Sequence, residues 1–170
     1  MARLFLAHGA SGSAAGLAPH VAALALRGVS ATAVQLPRGK AEAAMPVYFA
    51  AAPSSVETAI GGHSFGGRVA SLLAADHRYG ALILLSYPLH PPGASGRWDE
   101  RTAHWPRVEC SVLLLSGDRD PFARIGLLRE AVRRLGSAEL VVYQRLGHGI
   151  GPVFEDAVDR VADFVHATVG

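Results

Sequence analysis

Ala59-Ile60-Gly61-Gly62-His63-Ser64-Phe65-Gly66-Gly67-Arg68 is the stretch on which the fold turns. A short apolar strand ends at Gly62, the chain reverses sharply at Ser64, and a helix begins beyond it. Glycines stand two positions to either side of the serine, where any side chain would collide with the neighbouring strand and helix. The spacing Gly62-x-Ser64-x-Gly66 is that of a nucleophile elbow, which lifts a hydroxyl above a parallel sheet at a helix N-terminus. In a glycine-rich chain a five-residue pattern also fits a plain strand-to-helix turn. The context favours the elbow, because a strand and a helix flank it and acidic and histidine candidates follow in the order such a site requires.

Working outward, residues 3–7 form an apolar run that stops at His8-Gly9-Ala10-Ser11-Gly12. Leu17, Val21, Leu24 and Ala25 recur at helical spacing over residues 13–27, with Gly28 placed to end the helix. A second strand is expected over 29–36. Residues 40–53 are rich in alanine, but Pro46 and Pro53 limit any helix there to a few turns. The strand entering the elbow covers 58–63, and the helix leaving it runs from 65 to about 77. Residues 81–86 are almost continuously apolar, as in a central parallel strand covered on both faces. Residues 87–107 carry four prolines and both tryptophans, and read as a loop long enough to need a reason. A fifth strand over 112–116, a helix over 121–135 with Pro121 at its first position, a sixth strand over 139–144 and a closing helix over 153–169 complete the chain.

Six strands alternating with helical stretches predict an α/β fold, a doubly wound and mostly parallel six-stranded sheet with helices on both faces, in a single domain over 1–170. If the second strand lies outside the first and the third on its other side, the strand order reverses there. The crevice at that switch point then opens beside Ser64 and the His8-Gly9 loop.

Composition narrows the function. The chain has 170 residues, half of them hydrophobic, which is enough for a sizeable core. Arginines are scattered and Arg133-Arg134 is their only adjacent pair, so no nucleic-acid partner is expected. No apolar run approaches a membrane span, and the N-terminus enters a strand at once, so the expected location is cytoplasmic, with no membrane association. The single cysteine, Cys110, precedes an apolar strand and reads as a buried thiol. No histidine pair has metal-site spacing backed by carboxylates, so neither metal nor other cofactor is expected. The loop over 8–12 lacks both a Gly-x-Gly-x-x-Gly pattern and a following P-loop lysine, which disfavours nucleotides.

A serine hydroxyl needs a base, an acid to orient that base, and N–H donors for a developing oxyanion. His148 follows the last strand between Gly147 and Gly149 and is the candidate base. His63, next to the serine, should point away from it and pack. Ser116-Gly117-Asp118-Arg119-Asp120-Pro121 offers two aspartates, of which Asp120 is favoured. Its place before Pro121 also suits a helix cap. The oxyanion donors would be the backbone N–H groups of Phe65 and Ala10. His8, Gly9, Tyr87 and His90 are candidates for lining the pocket.

The His8-Gly9, Gly62-His63-Ser64-Phe65-Gly66-Gly67, Gly117-Asp118-Arg119-Asp120 and Gly147-His148 series resembles the α/β-hydrolase superfamily over nearly the whole chain. More narrowly, Leu85-Ser86-Tyr87-Pro88-Leu89-His90-Pro91-Pro92-Gly93 together with His8-Gly9-Ala10 resembles a small dienelactone-hydrolase-like family. That family includes relatives of a subunit of the non-specific-lethal histone acetyltransferase complex. The resemblance implies a minimal fold lacking the first antiparallel strand pair and a cap domain, with Ser64, Asp120 and His148 as triad positions. Dienelactone hydrolases proper use a cysteine nucleophile where this chain has Ser64. The expected activity is hydrolysis of a small-molecule ester or related acyl substrate through an acyl-enzyme. The alternatives are a thioesterase, peptidase or carbon–carbon hydrolase with the same triad, or a silent scaffold binding a protein partner.

Overall fold

A computed structural model describes all residues, Met1–Gly170. Six strands form one all-parallel sheet in the order β2-β1-β3-β4-β5-β6: β1 Ala2–Ala7, β2 Val29–Val34, β3 Ser55–His63, β4 Tyr79–Leu85, β5 Ser111–Gly117 and β6 Ala138–Tyr143. The order reverses between β1 and β3. Every connection is a crossover, and together they lay α1 (Ala18–Ala25) and α6 (Phe154–Val169) on one face of the sheet. On the other face lie α2 (Ala41–Ala51), α3 (Phe65–Asp76) and α5 (Ile125–Val132). Two apolar layers result. One joins Leu4, Leu6, Leu24, Ile83 and Val161; the other joins Phe5, Ile60, Leu73, Leu82 and Leu114. Alternate residues of β1 and β4 thus feed opposite layers, which is why these strands read as continuous apolar runs. No helix is long and apolar enough to cross a membrane.

Three elements differ from the sequence expectation. α2 runs eleven residues, straight through Pro46. The bond that the proline ring forfeits is the one to the Glu42 carbonyl in the first turn, and the helix is pinned regardless by Tyr48. That hydroxyl is fully buried, accepts from the Gly61 N–H at 3.0 Å, and lies 2.6 Å from the Gly61 carbonyl and 2.9 Å from that of Phe5. The helix expected from Pro121 begins only at Ile125; Pro121 lies in a turn that precedes it. The stretch expected as a loop over 87–107 holds short helical turns, among them α4 (Trp98–Thr102), and is packed onto the body of the protein. Trp105 is completely buried there, its ring edge-on to Tyr87 at 4.9 Å between centroids. It forms no separate cap domain.

Candidate active site

Three non-glycine residues, Ser64, Ser86 and Arg145, stand at positive φ, and the first of them is the turn of the elbow. Ser64 has φ +48° and ψ −116°, a conformation side chains rarely adopt, and it is held there by its N–H donating to the Leu85 carbonyl at 2.8 Å. The two flanking glycines are sterically required. A Cβ on Gly62 would lie 2.5 Å from the Gly66 carbonyl carbon and 2.6 Å from the Ala7 carbonyl oxygen; one on Gly66 would lie 2.4 Å from that same oxygen. Strand, turn and helix therefore pack backbone against backbone. Ser64 stands immediately before α3, beside the point where the strand order reverses.

His148, from the loop after β6, reaches the serine, and Asp120, from the loop after β5, reaches His148. His148 Nε2 lies 2.9 Å from Ser64 Oγ, and His148 Nδ1 lies 2.8 Å from Asp120 Oδ2. An ionised carboxylate can only accept, so Nδ1 carries the proton and the neutral ring offers Nε2 as acceptor to the serine hydroxyl. The other Asp120 oxygen accepts the Phe122 N–H at 2.8 Å, and the carboxylate is shut off from solvent while the imidazole is not. Asp120 thus fixes the turn after β5 rather than capping α5, which begins five residues on. Asp118 is engaged elsewhere, accepting the Arg145 N–H at 2.7 Å and tying the β5 and β6 ends together. The Phe122 ring packs against the His148 ring at 4.4 Å.

His63 does not simply pack away from the serine as expected. Its Nε2 donates to the His148 carbonyl at 3.0 Å, and the two rings lie 5.2 Å apart. Burial, the largest cause, holds its pKa below the ordinary histidine value. Nothing in the sequence marked this role, because the direction of the side chain follows from the elbow dihedrals.

On the opposite side of the serine, His8 locks the first loop. Its Nε2 accepts the Leu36 N–H at 3.0 Å, so its proton is on Nδ1, which donates to the Gly9 carbonyl at 2.7 Å. Gly9 sits against the elbow; a Cβ there would be 3.2 Å from His63 Nδ1 and 3.7 Å from Ser64 Cβ. The Ala10 N–H has no acceptor within the protein. Phe65, as the first residue of α3, has an N–H with no partner inside the helix.

A cleft of about 300 Å³ opens next to this point, walled by Gly9, Gly12, Leu17, His20, His63 and Ile150, with His8 also at its edge. It meets the site through Gly9, His63 and Gly149, next to Ser64 and His148, and neither of those two side chains lines it. His20 offers it an imidazole without any hydrogen bond, its pKa lowered chiefly by burial and further by the nearby His63. Two residues expected in the pocket are not there. Tyr87 is buried, its hydroxyl donating to the Arg101 carbonyl at 2.6 Å. His90 is buried too; its Nε2 accepts the Arg124 N–H at 3.0 Å and its Nδ1 lies 2.9 Å from the Pro91 carbonyl. Both fasten the 87–107 excursion, which is what packed, proline-rich chain demands of its polar groups. No group of side chains that could hold a metal ion is present.

A family model described as an alpha/beta hydrolase domain matches residues 38–160. No curated protein sequence matches the chain. Among solved structures, a monoacylglycerol lipase from Paleococcus ferrophilus is 13% identical with a TM-score of 0.83, over 98% of this chain and 94% of that one. A predicted CIB-like hydrolase from Thermoplasma acidophilum is 19% identical with a TM-score of 0.77, over 97% and 86%. Est1E from Butyrivibrio proteoclasticus, solved with ferulic acid bound, is 16% identical with a TM-score of 0.77, over 99% and 90%. At these identities the likeness is one of fold.

Proposed function

The chain belongs to the alpha/beta hydrolase domain family, and from that premise we propose that it is a serine hydrolase cleaving small esters through an acyl-enzyme. The observation that carries the proposal is the unbroken chain of hydrogen bonds from Asp120 through His148 to Ser64, at 2.8 and 2.9 Å, ending on a hydroxyl held at positive φ. Ser64 Oγ attacks the substrate carbonyl as its proton passes to His148 Nε2. Asp120 holds the resulting imidazolium, and the N–H groups of Ala10 and Phe65 take the charge that develops on the carbonyl oxygen. The imidazolium returns its proton to the departing alcohol. Water, deprotonated by the same base, then releases the acid from Ser64.

The cleft beside Gly9 and His63 supports a short acyl group, since about 300 Å³ lies at the lower end for small-molecule sites. Activated esters of increasing chain length should therefore lose kcat/KM beyond a few carbons. The finer kinship with the dienelactone-hydrolase-like family, suggested by Leu85 to Gly93, and a cytoplasmic location belong to the same proposal.

Labelling with a fluorophosphonate, wild type beside Ser64→Ala, tests the reading. Signal from the wild type that disappears in the variant supports it. A folded wild type that takes no label overturns it and leaves a binding scaffold in its place.

A further inference from the structure

Residues 147–149 carry the candidate base; the Gly147 carbonyl packs closely over Gly117, where an added Cβ would lie 2.7 Å from it, but beyond that point the main chain has little to hold it. Neither glycine of Gly147-His148-Gly149 has anything within van der Waals reach of where its Cβ would be. No backbone-to-backbone hydrogen bond involves any of the three residues; the nearest are made by the carbonyls of Leu146 and Ile150. The single hydrogen bond to this main chain comes from a side chain, His63 Nε2 to the His148 carbonyl at 3.0 Å. A glycine-flanked residue with so few anchors should sample many backbone conformations, whereas a base must stay within a few tenths of an ångström of its target.

We propose that His63 is a positioning residue that fixes the backbone of the candidate base His148, so that the residue before the nucleophile sets the aim of the group that activates it. The inference rests on the reading of Ser64 and His148 given above. Its chemistry is specific. A carbonyl can only accept, so the tether requires a donor at the Nε2 position; the ring nitrogen on the other side, Nδ1, faces Gly9. The ring contact with His148 is a second component, and it is separable from the hydrogen bond by substitution.

Three variants separate them. His63→Gln keeps an N–H at the reach of Nε2. His63→Phe keeps a flat ring without a donor, and His63→Asn keeps a donor too short to reach. Each is followed by the second-order rate of fluorophosphonate labelling, by kcat and KM on an activated acetyl ester, and by melting temperature. The expected result is a fall of about 10–100-fold in labelling rate and kcat for Phe and Asn, with KM within about twofold, and recovery of most of that loss in Gln. Phe labelling as fast as wild type, or Gln falling as low as Phe, overturns the tether while leaving the serine-hydrolase reading intact. A wild type that takes no label removes both. Should Phe fail to fold, Asn against Gln decides the question alone.

Discussion

The molecule contains two serine–histidine pairs, and on distance alone the wrong one looks better. Ser71 Oγ lies 2.7 Å from His104 Nε2, closer than the 2.9 Å between Ser64 and His148. Everything else separates them. Ser71 sits mid-helix in α3 and donates its own proton to the Arg68 carbonyl at 2.8 Å, so the histidine must donate to it rather than accept from it. His104 has no carboxylate on its other nitrogen, and burial, with Arg107 and Arg68 adding to it, pushes its pKa down to about 4. Ser71 is fully buried, whereas Ser64 is only half-buried, at a strained turn. A hydroxyl and an imidazole in contact are a structural clasp unless the proton can run from oxygen to nitrogen and an acid waits behind the base.

The comparison breaks or holds first on the serines themselves. Ser64→Ala should lower kcat on an activated ester by about 10⁴-fold or more. Ser71→Ala should leave the activity of folded protein near wild type while costing about 1–3 kcal/mol in urea unfolding, because it strands the His104 donor in the core. Activity lost equally in both would erase the distinction between the two pairs.

A smaller effect sharpens the role of the acid. Asp120→Asn keeps the shape but presents either an amide N–H or a weaker acceptor to His148 Nδ1, which favours the wrong tautomer. A loss of about 10³–10⁴-fold in kcat is expected, with KM little changed. Asp118→Asn, in contrast, should act on stability through the Arg145 N–H it holds. A kcat loss for Asp118→Asn that matched the one for Asp120→Asn would reassign the acid.

The last expected effect is one of pH on stability, with no change in turnover. The folded pKa of His104 lies below its unfolded value of 6.5, so the unfolded chain takes up a proton that the folded one refuses. Its contribution is present in full above 6.5 and is lost as pH falls from there to about 4, on the order of 3 kcal/mol in all. His63 and His20, also lowered, act in the same direction. His104→Gln preserves a donor to Ser71 without the titration. Its urea midpoint should therefore fall less steeply than wild type between pH 6.5 and 4; parallel curves would remove His104 from the acid response.

Much of this was readable in the sequence, for physical reasons that also mark where reading stops. The strands announce themselves because both faces are buried, and the elbow does so because Gly62 and Gly66 are forced by backbone contact. The residues nominated as nucleophile, base and acid are the ones the structure brings together, since each stands just past a strand end on the same side of a parallel sheet. α2 is longer than its sequence suggests because Pro46 is a local signal and the Tyr48 hydroxyl, bonded to both β1 and β3, is a tertiary one. Tyr87 and His90 lie away from the expected pocket, because a loop rich in prolines does not disclose whether its polar residues face a pocket or fasten the loop from within. His63 depends on dihedral angles at the turn, which composition does not encode.

One consequence follows from β6. It is the outermost strand on its side, paired only with β5, and most of its residues are half-buried. The proposed base hangs just beyond its end, while nucleophile and acid follow interior strands. Fraying of that rim would carry His148 off without disturbing Ser64 or Asp120. Turnover would then fade at denaturant concentrations where the bulk of the sheet is still intact, so the working enzyme is only as durable as its most peripheral ladder.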